Sequence, residues 1–324
     1  MTDNPNNWKP DASLETLQRR AEILAKIRKF FADRNVLEVE TPVLSHAATT
    51  DPNIDSFVTT LYGKSLYLHT SPEFPMKRLL VAGSGPIYQM AKVFRHEQAG
   101  RQHNPEFTLL EWYRPGFDLL QLMDEVDDLV EAILPTGGAG STIILTYADA
   151  FKQYAGIDDI HTSAIDELRQ VVKGHGIEIE GLDDSDIDAW RDLLMGSIIA
   201  PRLGIEQWTF VTDYPASQAS LSRIDPGPPA VARRFELFIH GMEIANGFDE
   251  LKDVRQQRYR FEADNDRREG RGQPPLPIDG RLLAALDVGL PDCVGVALGL
   301  DRLIMLAVGE DSISEVLSFQ GDRA

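Results

Sequence analysis

Cysteine is nearly absent: Cys293 stands alone in 324 residues. A single thiol excludes an intramolecular disulfide and a cysteine-based zinc site, and it fits a reducing compartment. Long apolar runs are missing as well. No stretch is long enough to cross a bilayer, and the N-terminus around Trp8, Pro10 and Asp11 lacks an apolar signal core. These lacks predict a soluble, cytoplasmic protein with no membrane partner. Positive charge is scarce, with 32 Lys and Arg against 51 Asp and Glu, for a net charge of −19. That balance argues against binding dominated by nucleic-acid phosphates, while leaving room for a local basic pocket. What remains is ordinary globular composition, 43% hydrophobic and 26% charged, in a chain long enough for a large core.

The most informative stretch runs from Val93 to Tyr113. It opens apolar, turns basic through Arg95, His96, Arg101 and His103, and closes on an apolar-aromatic run. Gly100 and Asn104-Pro105 are loop signals. Alternation in the closing run puts Phe107, Leu109, Glu111 and Tyr113 on one strand face and Thr108, Leu110 and Trp112 on the other. Two antiparallel strands joined by a basic loop are predicted, with Arg95 and Glu97 sharing a face of the first. Charges on a sheet face are commonly just solvated. The functional alternative is a nucleotide-and-amine pocket, where Arg95 holds a phosphate oxygen, Phe107 stacks on a base and Glu111 holds a cation.

Residues 1 to 12 are polar and predicted to be loose. From Ser13, a candidate N-cap, apolar residues recur at helical spacing as far as Phe31, and a short strand at Leu37 and Val39 stops at Pro42. Residues 56 to 69 predict a hairpin turning at Gly63-Lys64. Ser71-Pro72-Glu73 has the N-cap, N1 proline and first-turn acid of a helix start. Asp118 and Gln121 form a capping-box pattern ahead of a helix to Leu134. Gly137-Gly138 and Gly140 break the chain, and residues 142 to 205 are α-rich and acidic around Asp183 to Asp188. His161 and His175 have no partners at ligand spacing. Phe210 to Pro215 predicts a strand running into a loop, and Pro226 to Pro229 a mobile break. Arg234 to Ile239 and Met242 to Phe248 predict a hairpin turning at His240-Gly241. Glu243 and Glu250 lie seven residues apart, an offset that puts them on opposite faces of an unbroken strand, although Gly247 offers a break. Such carboxylates are either surface acids or, beside a triphosphate, ligands for Mg²⁺. Residues 251 to 272 predict a charged helix with a solvated face. The glycines at 295 and 299 suit helix packing or close approach to a ligand.

Three ordered stretches carry a family resemblance. Phe31-Ala32-Asp33-Arg34-Asn35-Val36-Leu37-Glu38-Val39-Glu40-Thr41-Pro42 resembles motif 1 of the class II aminoacyl-tRNA synthetases. Phe94-Arg95-His96-Glu97 with His103-Asn104-Pro105-Glu106-Phe107-Thr108 resembles motif 2 in its lysyl form. Gly295-Val296-Ala297-Leu298-Gly299-Leu300-Asp301-Arg302-Leu303 resembles motif 3. The resemblance implies an α+β fold: the class II core, an antiparallel sheet flanked by helices, as one catalytic domain over 1–324 with an insertion at about 142–205. Motif 1 would make a homodimer. Motif 1 starts too early for a preceding anticodon-binding OB domain, so no such domain and no stable tRNA binding are expected.

The resemblance also implies site roles. Arg95 and Arg302 would be catalytic. ATP would be held by Arg95, His96, Glu97, His103, Asn104, Phe107, Glu243, Ile244, Gly299 and Arg302. The amino acid would meet Ser71, Pro72, Glu73, Glu111, Tyr113, Asn246, Phe248, Glu250 and Ala297, and Mg²⁺ would sit on Glu243 and Glu250. Four departures stand out: Phe74-Pro75 replaces Tyr-His, His96 replaces asparagine, Ala297 replaces glycine, and Pro215-Ala216-Ser217-Gln218-Ala219-Ser220 replaces a Ser-Pro pair. The last is similar to the stand-alone paralogs that ligate β-lysine to elongation factor P. The implied activity is ATP-dependent activation of (R)-β-lysine as an adenylate and transfer to a lysine of that factor. Alternatives are a truncated lysyl-tRNA synthetase, a ligase making a free amide or dipeptide, and a non-catalytic regulatory paralog. The last would be expected to lose Arg95, Glu243 or Arg302, and all three are present.

Overall fold

The computed structural model describes residues 8–134, 142–178, 181–183 and 185–321. In chain order the first elements are α1 (Leu14–Asp33), β1 (Leu37–Glu38), β2 (Leu44–Ser45), β3 (Val58–Leu61), β4 (Lys64–Leu68), α2 (Glu73–Val81), β5 (Ile87–Phe94), β6 (Glu106–Pro115) and α3 (Leu119–Ile133). There follow β7 (Ile143–Thr146), α4 (Tyr147–Ala155), α5 (Ile165–Gly174), α6 (Ile187–Leu194), β8 (Thr209–Pro215), β9 (Ile224–Asp225), β10 (Val231–Ile239) and β11 (Met242–Asp249). The chain closes with α7 (Val254–Gly270), α8 (Gly280–Val288), β12 (Cys293–Gly299) and α9 (Leu300–Val308). Two compact units result. The first takes residues 1–117, 124–135 and 252–324, and the second takes 118–123 and 136–251.

In the first unit the strand order is β1-β5-β6-β12. β5, β6 and β12 are antiparallel neighbours, while β1 runs parallel to β5. The sequence alternation sets what each face meets. Trp112 and Tyr88 point toward α1, where Phe31 stacks on Tyr88 at 4.2 Å and meets Trp112 edge-on at 5.4 Å. All three rings are buried, and such pairs add about 0.5–1.5 kcal/mol each beyond their burial. Glu111, Tyr113, Gln89 and Ala297 project from the opposite face. α1 starts where expected, with Ser13 Oγ accepting from Thr16 N at 3.0 Å. The capping box before α3 is also present, with reciprocal bonds between Asp118 and Gln121 at 2.9 and 3.0 Å.

Four expectations need correction here. Residues 11 and 12 are tied down, because their N–H groups donate to Ser318 O and Leu317 O. The hairpin turns at Tyr62-Gly63, one residue earlier than expected, since positive φ at both positions (50° and 74°) makes that pair the turn and leaves Lys64 opposite Leu61. Arg95 and Glu97 are not on a strand face, because β5 ends at Phe94 and both lie in the loop. The charged helix α7 is not simply solvated. Its Arg268 is buried and held by Asp55, Asp51 O and Pro274 O, because loop carbonyls and a carboxylate surround it. The glycine break at 137–140 and residues 1–7 lie outside the described residues.

The second unit orders its strands β11-β10-β8-β7, with β9 on β10. β7 and β8 are parallel, and the other pairs are antiparallel. Its core gathers Tyr147, Phe151, Trp190, Leu194 and Ile199 from the helical stretch against Val211, Tyr214 and Phe238 from the strands. The α-rich stretch therefore also contributes a strand, β7, which joins the sheet. The β10–β11 turn is the expected His240-Gly241, again with positive φ at both residues. Gly247 is required for packing: a Cβ there would lie 2.3 Å from the Phe235 ring.

Candidate active site

In the first unit the site is organised around Glu111, in the middle of β6 and only 2% exposed. Alternation brings its carboxylate out on the same face as Tyr113, whose OH donates to Oε1 at 2.7 Å. Ser71 donates to Oε2 at 2.7 Å and accepts from Glu73 N at 3.0 Å. The helix starts one residue later than the spacing predicts: Pro72 is the cap and Glu73 the first helical residue, and Ser71, just outside, ties the Glu73 N–H to the sheet. Glu73, the first residue of α2, receives Lys77 Nζ at 2.6 Å, one helical turn on. Cross-strand, Ala297 sits opposite Glu111 on β12, and Gln89 opposite it on β5.

Burial pushes the Glu111 carboxyl up to about 7, and neighbouring Glu73 pushes the same way; Ser71, Tyr113 and Lys77 pull it down. A buried acid held this way favours arrival of a cation that repairs its lost solvation.

A second group lies where β5 and β6 part. Arg95 N donates to Pro105 O at 3.0 Å, and its guanidinium lies 5.1 Å from the Phe107 ring centroid. His96 is exposed, donates its N–H to Asp55 O and meets Phe57 edge-on. Glu97 is exposed in the same loop. Asn104 is buried and donates to Glu106 O at 2.5 Å, so its side chain shapes the loop. Arg302, in the first turn of α9 after Gly299, donates to Gln102 O at 3.2 Å and lies 2.8 Å from His103 Nε2. Phe107 and Ala297 share an apolar patch with Ala91, Val93 and Leu109.

In the second unit a β-bulge resolves the seven-residue offset. Phe238 pairs with Glu243 and Leu237 with Ala245, so Ile244 is the extra residue. The alternation is reset, and Glu243, Asn246 and Phe248 fall on the face of Glu236 and Arg234. The break is thus at Ile244 and not at Gly247. Ile244 itself is buried. Glu250, 1% exposed, follows the strand and bridges to Ser222. Glu236 joins this face unforeseen. It accepts from Tyr214 OH at 2.6 Å, from Arg234 and from Asn246, and burial with Glu243 nearby holds it up at about 7. Glu243 and Glu250 supply oxygen donors of the hard type that Mg²⁺ takes. No group of three or more His, Cys, Asp or Glu that could hold a metal occurs among the described residues.

Sequence reasoning missed Lys77, Gln89, Glu236 and Tyr214. Only Lys77 left a signal, its four-residue spacing from Glu73. The departing run at 216–218 forms a 3₁₀ turn braced by α6: Ser217 donates to Asp188 at 2.9 Å and Gln218 to Asp192 at 2.7 Å. Phe74 packs its ring at 5.7 Å from Phe261 of α7.

The strand order, the buried carboxylate on β6 and the arginine opening α9 define a class of protein. Residues 7–323 match the family described as tRNA synthetases class II (D, K and N), and the chain belongs to that family. Within it, the chain is 49% identical to the elongation factor P--(R)-beta-lysine ligase of Proteus mirabilis (strain HI4320), over 98% of each chain.

Proposed function

We propose that this protein is an ATP-dependent, AMP-forming ligase that activates (R)-β-lysine and transfers it to a lysine side chain of elongation factor P. The observation that carries the reading is 49% identity over 98% of both chains with a protein named for that ligation. Membership of the class II family supports the use of ATP. No helix among the described residues is long and apolar enough to cross a membrane. We place the reaction in the cytoplasm, in a homodimer formed through motif 1, without stable tRNA binding, and read 1–324 as one catalytic domain with 142–205 inserted.

In the first step the substrate carboxylate oxygen attacks the α-phosphorus of ATP. An O–P bond forms, the bond to the β-phosphate bridging oxygen breaks, and pyrophosphate leaves. No protein nucleophile is required, so positioning and charge stabilisation carry the step. Arg95 would neutralise charge on the α-phosphate and Arg302 would grip the phosphates, with adenine against Phe107. Glu73, Glu111, Tyr113 and Glu250 would orient a substrate with two ammonium groups, lined by Ser71, Asn246 and Phe248. Mg²⁺ on Glu243 and Glu250 would offset phosphate charge. In the second step the acceptor amine attacks the adenylate carbonyl, AMP leaves, and the amide forms with loss of a proton.

ATP–pyrophosphate exchange with (R)-β-lysine against α-lysine, followed by mass analysis of added elongation factor P, tests the reading. Strong exchange with β-lysine and one added β-lysyl mass are expected. Exchange with α-lysine alone, with charging of tRNA, overturns it. Ala297 would set this preference, because it stands on β12 opposite Glu111, and Glu111 is the acid that would hold the substrate amine. Ala297→Gly is expected to move the ratio of kcat/KM toward α-lysine by about 1–3 kcal/mol, roughly 10–200-fold.

A further inference from the structure

Asp301 is 1% exposed and lies in the first turn of α9, beside Arg302. The β6–β12 ladder ends at Gly299 and Leu109. Just beyond that pair, the Thr108 N–H donates to Asp301 Oδ2 at 2.7 Å. A side-chain carboxylate therefore takes the place of the next strand carbonyl, at the residue after Phe107. The charge is compensated from α1: Arg20 Nη2 lies 2.6 Å from Asp301 Oδ1, with its side chain 15% exposed. The same Arg20 donates to Thr108 Oγ1 at 3.1 Å and to Val316 O at 3.3 Å.

We propose that Asp301, held by Arg20, is a positioning residue for nucleotide binding, fixing Arg302 on α9 at a set distance from Phe107 on β6. This rests on the reading above that these two side chains hold ATP. Neither Asp301 nor Arg20 would touch the nucleotide. Asp301 acts through Arg302, the next residue, and Arg20 acts through Asp301 and through Thr108 beside Phe107; small displacements of such groups are costly to binding. Thr108, which both residues touch, falls on the Trp112 face of β6, opposite to Glu111, so the amino-acid end should be spared.

The test is titration calorimetry of the full chain with a non-hydrolysable ATP analogue, alongside KM values for ATP and for β-lysine from pyrophosphate exchange. Arg20→Met and Asp301→Asn are expected to weaken analogue binding and raise the ATP KM about tenfold, with the amino-acid KM within about twofold. Because the two act as a unit, the double variant should lose little more than the worse single one. Thr108→Val, which keeps its N–H and its shape, is the mild variant if Asp301→Asn does not fold, with an expected loss of about threefold confined to ATP. Unchanged analogue affinity in folded variants overturns the proposal, and so does an equal loss for both substrates that follows a fall in Tm. Normal analogue binding by the unmodified protein with no amino acid activated would count against the ligase reading instead, since the calorimetric arm needs no turnover.

Discussion

Replacing Arg95 with alanine is expected to lower ATP–pyrophosphate exchange by about 10²–10³-fold while leaving the fold intact. The loss is large because the guanidinium is placed and not merely present. β5 ends at Phe94, the Arg95 N–H closes onto Pro105 O at 3.0 Å, and the guanidinium is left 5.1 Å from the Phe107 ring centroid. An aromatic face and a cation side by side suit a base and its phosphate. The fold should tolerate the change, because the backbone contact to Pro105 survives it. Arg95→Lys should recover only part of the rate, since an ammonium cannot offer two parallel donors to a phosphate. Exchange rates measured beside thermal unfolding decide the matter. Activity above a tenth of the parent in a stably folded Arg95→Ala protein would remove this residue from the phosphate site.

Glu111→Gln should separate stability from activity. The carboxyl of Glu111 titrates at about 7 in the folded protein, against 4.5 for the ordinary group, through burial first and Glu73 second. A raised carboxyl binds its proton more tightly when folded. Its protonation therefore stabilises the fold fully below about 4.5, and that stability is lost as pH rises through about 7. The shift corresponds to about 3 kcal/mol. At pH 8 the neutral amide should thus be more stable than the parent by up to about 3 kcal/mol, and the gain should vanish near pH 4. Urea unfolding at the two pH values measures this directly. Exchange with β-lysine should fall by about 10²-fold or more, since the amide cannot pair with an ammonium group. In the parent, the apparent KM for the amino acid should rise about tenfold per pH unit below 7, as a proton competes with the substrate amine. A flat pH profile would dissociate Glu111 from substrate binding.

Much of this protein is readable residue by residue. The Ser13 cap, the strand alternation through Glu111 and Tyr113, and the His240-Gly241 turn are local consequences of side-chain period and backbone preference, and all three appear as the sequence implies. The three motifs likewise carry the family, which the match over residues 7–323 bears out. Local pattern also named Glu111 and Arg95 as the groups to watch.

Other features depend on which residues meet across the fold. The face shared by Glu243 and Asn246 depends on the bulge at Ile244, and a bulge is set by how β10 and β11 register, which no spacing within one strand reveals. Ser71 carries the signal of a helix start, yet its hydroxyl is committed to Glu111, forty residues on. Arg20 looks like one more solvated cation of an amphipathic helix, and packing turns it into the counter-charge of Asp301. Sequence by itself determined most of the elements outside residues 142–205, the family and the chemical types in the site, because periodicity, caps and turns act over a few residues. Tertiary structure alone decided charge state and pairing, because burial and neighbouring carboxylates, brought together from distant parts of the chain, set the energy of a buried charge.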